Sequence, residues 1–109
     1  MIICGGTSFL GLTLLKWIST MIDAFHKVYV IDGEHAAGGN ACAEVMNDHR
    51  DVFVTLESDR EDRWKYNRLI REIFAKHDLV DTIIDFGVAF EDDIHAITNP
   101  INNHCSNLL

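Results

Sequence analysis

Apolar positions change period along the chain, and the change predicts strands alternating with helices. Ile2 and Ile3 form a short apolar run that ends at Cys4, where glycines follow at once. From Phe9 to Ile22 the spacing is helical, with Leu10, Leu14, Trp17, Ile18, Met21 and Ile22 recurring on one side. Val28-Tyr29-Val30-Ile31 is a β-branched run closed by Asp32 and Gly33, which predicts a buried second strand with an acid at its carboxyl end. A loop rich in Gly and Ala is expected next. Val52-Phe53-Val54 predicts a third strand, and Arg63 to His77 an amphipathic helix with Tyr66, Leu69, Ile70, Ile73 and Phe74 on one face. Thr82-Ile83-Ile84-Asp85-Phe86 predicts a fourth strand. Beyond it, Glu91, Asp92 and Asp93 suit the first turn of a helix, where negative charge is favoured, and Pro100 imposes either a kink or a later start.

Strands that are continuous in apolar residues and alternate with helices are parallel strands covered on both faces. Right-handed crossovers then give the order 3-2-1-4, a truncated Rossmann-like α/β fold with a doubly wound parallel sheet of about four strands. Ile83, Ile84 and Phe86 fall on an edge strand there, a liability for aggregation or an invitation to pair. No repeat, linker or low-complexity tract interrupts the 109 residues, so a single, partial domain over 1–109 is expected.

Charge narrows the partners. Seventeen acids against nine bases give a formal net charge of -8, the wrong sign for a phosphate-binding surface. The densest basic set, Arg60, Arg63, Lys65, Arg68 and Arg71, is interleaved with Glu61, Asp62 and Glu72, the mark of a solvated helix face. Nucleic acid and anionic membrane are both disfavoured. No apolar run reaches the roughly 18 residues of a membrane helix. Cys4, Cys42 and Cys105 are odd in number, no C-x-x-C pair or N-x-S/T site occurs, and Met1 to Ile22 lacks the positive start of a signal peptide. A reducing, cytoplasmic setting is expected.

The chemistry concentrates in Cys4-Gly5-Gly6-Thr7-Ser8-Phe9-Leu10-Gly11, between the first strand and the first helix. A dinucleotide's pyrophosphate needs a tight turn, close backbone approach and a helix N-terminus with free N–H groups. Gly5 supplies the turn and Gly11 the close packing of helix on sheet. Asp32 follows about 20 residues later at the tip of the second strand, where a carboxylate accepts both ribose hydroxyls of an adenosine and repels a 2′-phosphate. NAD is favoured over NADP on that ground. Taken alone, the glycines fit an ordinary strand-to-helix turn and Asp32 an ordinary strand-ending residue; their order is what makes a nucleotide site.

These residues resemble the N-terminal part of an extended short-chain dehydrogenase/reductase of the NAD-dependent epimerase/dehydratase family, with nucleotide-sugar 4,6-dehydratases of the dTDP-glucose type the nearest subgroup. The family's opening TGGxGFIG is matched by Cys4 to Gly11, and its acid and A-G-N loop by Asp32 and Ala37-Gly38-Gly39-Asn40 with one residue extra. Its F-V-x-G-D is matched in part by Phe53-Val54-Thr55-Leu56-Glu57, and its D-x-V-x-H-x-A-A by Asp81 to Val88. The later N-P and T-N pairs resemble Asn99-Pro100 and Ser106-Asn107. The resemblance implies that Gly5, Gly6, Thr7, Ser8, Phe9, Leu10 and Gly11 form the phosphate turn and that Asp32 holds the adenosine ribose. It also implies that Glu57, or Asp59, lies near adenine and Gly87 near the nicotinamide-side ribose.

Departures from the pattern bear on function. Ser8 replaces the turn's middle glycine, either forcing a positive φ at a cost or offering its hydroxyl to phosphate. Val88 replaces a small alanine beside the cofactor, and Asp85 brings a carboxylate that must be solvated or paired. The family's Tyr-x-x-x-Lys pair is missing: Tyr29 lies inside a strand, and Tyr66 is followed at the fourth position by Ile70. No catalytic residue is therefore expected here, and no turnover by this chain alone. In a longer parent enzyme the reaction implied is dehydration or epimerisation of a nucleotide sugar, with a hydride taken from the sugar and returned.

Two other classes compete. One is a catalytically dead Rossmann interaction protein that pairs through its open edge strand or last helix, as a homodimer or with a complementing chain. The other is an S-adenosylmethionine-binding, methyltransferase-like domain, which shares a glycine turn and an acid after the second strand. His35 with Cys42, or Asp92 and Asp93 with His95, lack the spacing of a metal site. Cys4 is expected to be buried at a strand end, and Trp17 and Trp64 to pack their helices on the sheet.

Overall fold

The computed structural model describes residues 1–33, 39–58, 62–77 and 80–86. Four parallel strands, β1 (Ile2–Cys4), β2 (Val28–Asp32), β3 (Phe53–Glu57) and β4 (Ile83–Asp85), lie in the order β3-β2-β1-β4. Three α-helices connect them: α1 (Phe9–Thr20), α2 (Gly39–Asn47) and α3 (Arg63–Lys76). This is the α/β, Rossmann-like sheet expected from the alternation of periods.

The crossover directions decide which face each helix covers. The steps from β1 to β2 and from β2 to β3 run the same way across the sheet, so right-handed connections put α1 and α2 on one face. The step back from β3 to β4 puts α3 on the other. One core accordingly joins Ile3, Val28, Val30 and Phe53 to Leu15 and Ile18 of α1 and to Cys42 and Met46 of α2. The second joins Ile2, Cys4, Tyr29 and Ile31 to Ile70 and Ile73 of α3. Both faces of β1 and β2 are therefore buried, which is why their residues read as continuous apolar runs. A fully buried Leu or Ile in such a core contributes about 1.5–3 kcal/mol.

Several boundaries differ from the sequence reading, for physical reasons. The segment after β2 contains α2 rather than only a loop: Cys42, Val45 and Met46, at helical spacing, pack on the α1 face. α1 stops at Thr20, and Ile22–Ala24 form a separate 3₁₀ turn. The hydroxyls of Ser19 and Thr20 donate to the carbonyls of Lys16 and Trp17 in that last turn, a competing use of its acceptors. β3 begins at Phe53 and runs three residues past Val54, because Thr55, Leu56 and Glu57 pair with Val30, Ile31 and Asp32 while Thr55 and Glu57 stay exposed. β4 is shorter by one residue at each end, yet Ile2 N–H donates to the Thr82 carbonyl and Phe86 N–H to the Cys4 carbonyl, both at 2.9 Å.

The tryptophans correct an expectation. Trp17 is 52% and Trp64 85% exposed, so neither packs its helix on the sheet. Each lies off the stripe that does so, Leu15 and Ile18 in α1 and Ile70 and Ile73 in α3. Leu69 and Phe74 border the second stripe as expected, and the Tyr66 side chain lies outside the described set. Among the described residues β3 and β4 each pair on one side only. No described helix is long and apolar enough to cross a membrane. The helix expected around Glu91 to Pro100, and Val88, Ser106-Asn107 and Cys105, lie outside the described residues.

Candidate functional site

The turn between β1 and α1 sits at the carboxyl ends of β1 and β2, the position where open parallel sheets bind ligands. Gly5 adopts φ 70°, a left-handed conformation that glycine enters without steric cost, and its N–H donates to the Ile31 carbonyl at 2.8 Å. The chain then passes close to the sheet. A Cβ at Gly6 would lie 2.6 Å from Val30 Cγ1 and 2.9 Å from Ile3 Cγ2. At Gly11, a Cβ would lie 2.1 Å from the Gly6 carbonyl oxygen. Gly11 thus lets the helix approach the backbone of the turn, and Gly6 lets the turn lie against the Val30 and Ile3 side chains of the sheet.

Ser8 is not strained. Its φ of -73° and ψ of 171° are extended, and positive φ among the described residues occurs at Gly5 alone. The expected penalty is absent because the left-handed position of the turn is Gly5, three residues earlier. Ser8 instead caps α1: its Oγ accepts the Gly11 N–H at 3.1 Å, and its carbonyl accepts the Leu12 N–H at 2.9 Å. The N–H groups of Phe9 and Leu10, with no intrahelical acceptor, carry no hydrogen bond among the described residues. They form the positive end of the helix dipole. The Phe9 and Leu10 side chains flank it, about seven-tenths exposed.

Asp32 faces this turn. Its Oδ2 accepts both the backbone N–H and the hydroxyl of Thr7, each at 2.9 Å, and its Oδ1 accepts the Gly33 N–H at 2.8 Å. Its backbone carbonyl accepts the Ser58 N–H at 2.9 Å, so one residue fastens the ends of β1, β2 and β3 together. Glu57 stands opposite Asp32 in the β2–β3 register and is exposed. Asp85 closes β4 opposite Cys4, half-buried. Asp59 and Gly87 lie outside the described residues.

Two residues that sequence reasoning missed support the turn. Cys42, on α2, directs its thiol toward the carbonyls of Gly6 and Ser8, at 3.9 and 4.0 Å. Burial pushes this thiol above its ordinary pKa, the Asp32 charge adds to the rise, and Lys16 opposes it. The side chain is therefore a neutral donor at physiological pH. Its spacing with Val45 and Met46 was the available signal. Ser58, buried at the end of β3, is the other; nothing in its local sequence marks it.

Away from the turn, a cleft of about 200 Å³ opens at the amino end of β1 and β2, bordered by His26, Tyr29, His77 and Asp81 among others. There the Tyr29 hydroxyl and His77 Nε2 are 2.6 Å apart. One of the chain's two tyrosines is thus committed far from the glycine turn. Among the described residues no three His, Cys, Asp or Glu side chains gather as a metal site. No family model, curated protein or solved structure matches this chain.

Proposed function

We propose that this chain binds NAD(H) at the carboxyl ends of β1 and β2, as the cofactor-holding portion of a protein resembling nucleotide-sugar dehydratases and epimerases. One juxtaposition carries the reading: the Asp32 carboxylate at the end of β2 holds the N–H and hydroxyl of Thr7, inside the turn where Gly6 and Gly11 have no side chains and which leads directly into the N-terminus of α1. A pyrophosphate is stabilised by the N–H groups of a helix N-terminus and needs the absence of side chains to approach them. The Asp32 carboxylate accepts ribose hydroxyls and repels the 2′-phosphate of NADP. Glu57, beside it, would border the adenine. Hydride chemistry on a nucleotide sugar would require acid/base residues from a longer parent. Cys4 and Cys42, both buried and neither in a disulfide, support a reducing, cytoplasmic setting.

Isothermal titration of the folded chain tests this, with NAD as ligand and NADP and S-adenosylmethionine as controls. Saturable NAD binding that exceeds NADP binding and is lost in Asp32→Asn supports the reading. No heat from a chain with a cooperative melt overturns it.

A second reading, an interaction protein, is favoured by one observation. Phe9, Leu10, Trp17 and Met21 are exposed on or next to α1, whose single charge is Lys16. Concentration-dependent light scattering together with silent titrations would favour that reading.

A further inference from the structure

We infer that Thr7 competes with the ligand's ribose for Asp32 and so sets how tightly, and through how many hydroxyls, the adenosine side is held. The inference rests on the dinucleotide reading of the same site. An ionised carboxylate offers about four lone-pair positions. Thr7 fills both on Oδ2, with its N–H and its hydroxyl, and Gly33 fills one on Oδ1. One position is left, whereas a vicinal diol that donates through both hydroxyls needs two.

The three internal donors differ in how they can yield. The N–H groups of Thr7 and Gly33 belong to backbone fixed by the turn, where Gly5 N–H is bonded to Ile31 and Ser8 N–H to Gly5. The Thr7 hydroxyl is held by one side-chain torsion. It is the donor that a diol displaces, and a β-branched side chain has few alternative rotamers to take up. A ribose carrying a single donor hydroxyl fits the remaining Oδ1 position with Thr7 in place. The wild-type chain therefore gains little from a second ribose hydroxyl, and the reason lies in Thr7 rather than in Asp32.

Thr7→Val keeps the shape and the backbone N–H while removing the competing O–H; Thr7→Ser keeps the O–H. Each folded variant is titrated with NAD and with the analogue lacking the adenosine 2′-hydroxyl, and thermal melts verify folding. Thr7→Ala replaces the valine variant if that one does not fold. Wild type and Thr7→Ser are expected to bind the two ligands within about threefold of each other. Thr7→Val is expected to bind NAD about tenfold more tightly than wild type, roughly the worth of one hydrogen bond to a charged group, and the deoxy analogue no more tightly. NAD binding that is unchanged or weakened in Thr7→Val overturns the inference while leaving the dinucleotide site standing. Silence from every folded variant with both ligands removes the site and the inference together.

Discussion

Gly11 and Gly6 touch backbone to backbone: a Cβ on Gly11 would come within 2.1 Å of the Gly6 carbonyl oxygen and 2.5 Å of its carbon. No side-chain rotation relieves such a contact, because the obstacle is the turn itself. Gly11→Ala is expected to cost about 3 kcal/mol of folding stability, the upper end of ordinary overpacking. Gly39→Ala, where nothing lies within 4 Å, is the control, expected to be neutral or to stabilise by up to about 1 kcal/mol. Urea unfolding of both variants checks the pair.

The Ser8 cap gives a smaller, graded effect. Ser8→Ala is expected to cost about 1 kcal/mol, and Ser8→Gly a few tenths, because glycine is tolerated at an N-cap and alanine is not. If Ser8 were instead strained, Ser8→Gly would raise stability. The sign of that one variant, in urea unfolding, separates the two accounts.

Asp32 is a structural tie as well as a candidate ligand. Its carboxylate holds Thr7 and Gly33, so Asp32→Ala is expected to cost about 2–3 kcal/mol with no nucleotide present, as hydrogen bonds to a charged group are lost. Asp32→Asn, which keeps one acceptor oxygen, is expected to cost less. Denaturant titrations without ligand measure this directly. They also show which variant suits a binding test.

Alkaline pH acts through Cys42. Folding raises this thiol above the ordinary value of 9.0 that it regains on unfolding. The neutral thiol's contribution to stability is therefore complete below pH 9 and is lost as pH rises from there through the folded value. Cys42→Ser keeps a hydrogen-bond donor without titrating in that range. Its melting temperature is expected to fall less than that of wild type above pH 9, as differential scanning calorimetry would record.

The exposed tryptophans affect any fluorescence assay. With Trp17 about half and Trp64 mostly in solvent, native emission is expected to lie close to that of the unfolded chain and to be quenched readily by acrylamide. A large blue shift in the native state would place one of them in an interface between chains.

Much of the frame is legible in the residues, and what is not has identifiable causes. The apolar runs of β1 and β2 announce strands buried on both faces, and the alternation with helices fixes the sheet order. Gly5 makes the tight turn its place suggests, whereas Gly11 packs the helix against the backbone of Gly6 in the turn rather than against the sheet. α2 is hard to read because it has nine residues, follows a glycine-rich stretch and shows its inner face through three side chains. Ser8 looks strained only when aligned to a glycine pattern; read as a serine ahead of an apolar helix, it is a cap. The Thr7–Asp32 contact joins residues 25 apart and follows from the register of β1 on β2. The exposure of Trp17 and Trp64 escapes a reading that counts every apolar residue of a helix as facing inward.

The position of β1 in the sheet has a consequence for the chain as it is made. β1 precedes the other three strands in the chain and lies between β2 and β4, so one of its flanks is matched early and the other waits about 80 residues for Ile83–Asp85, a contact of high sequence separation. Between the completion of β3 at Glu57 and the arrival of Ile83 the growing chain has three strands, and the first of them has one row of backbone amides and carbonyls open to capture by other chains. The arrival of three residues closes it. Sequence changes in β4 should therefore alter yield and aggregation during expression more than they alter the stability of the finished fold.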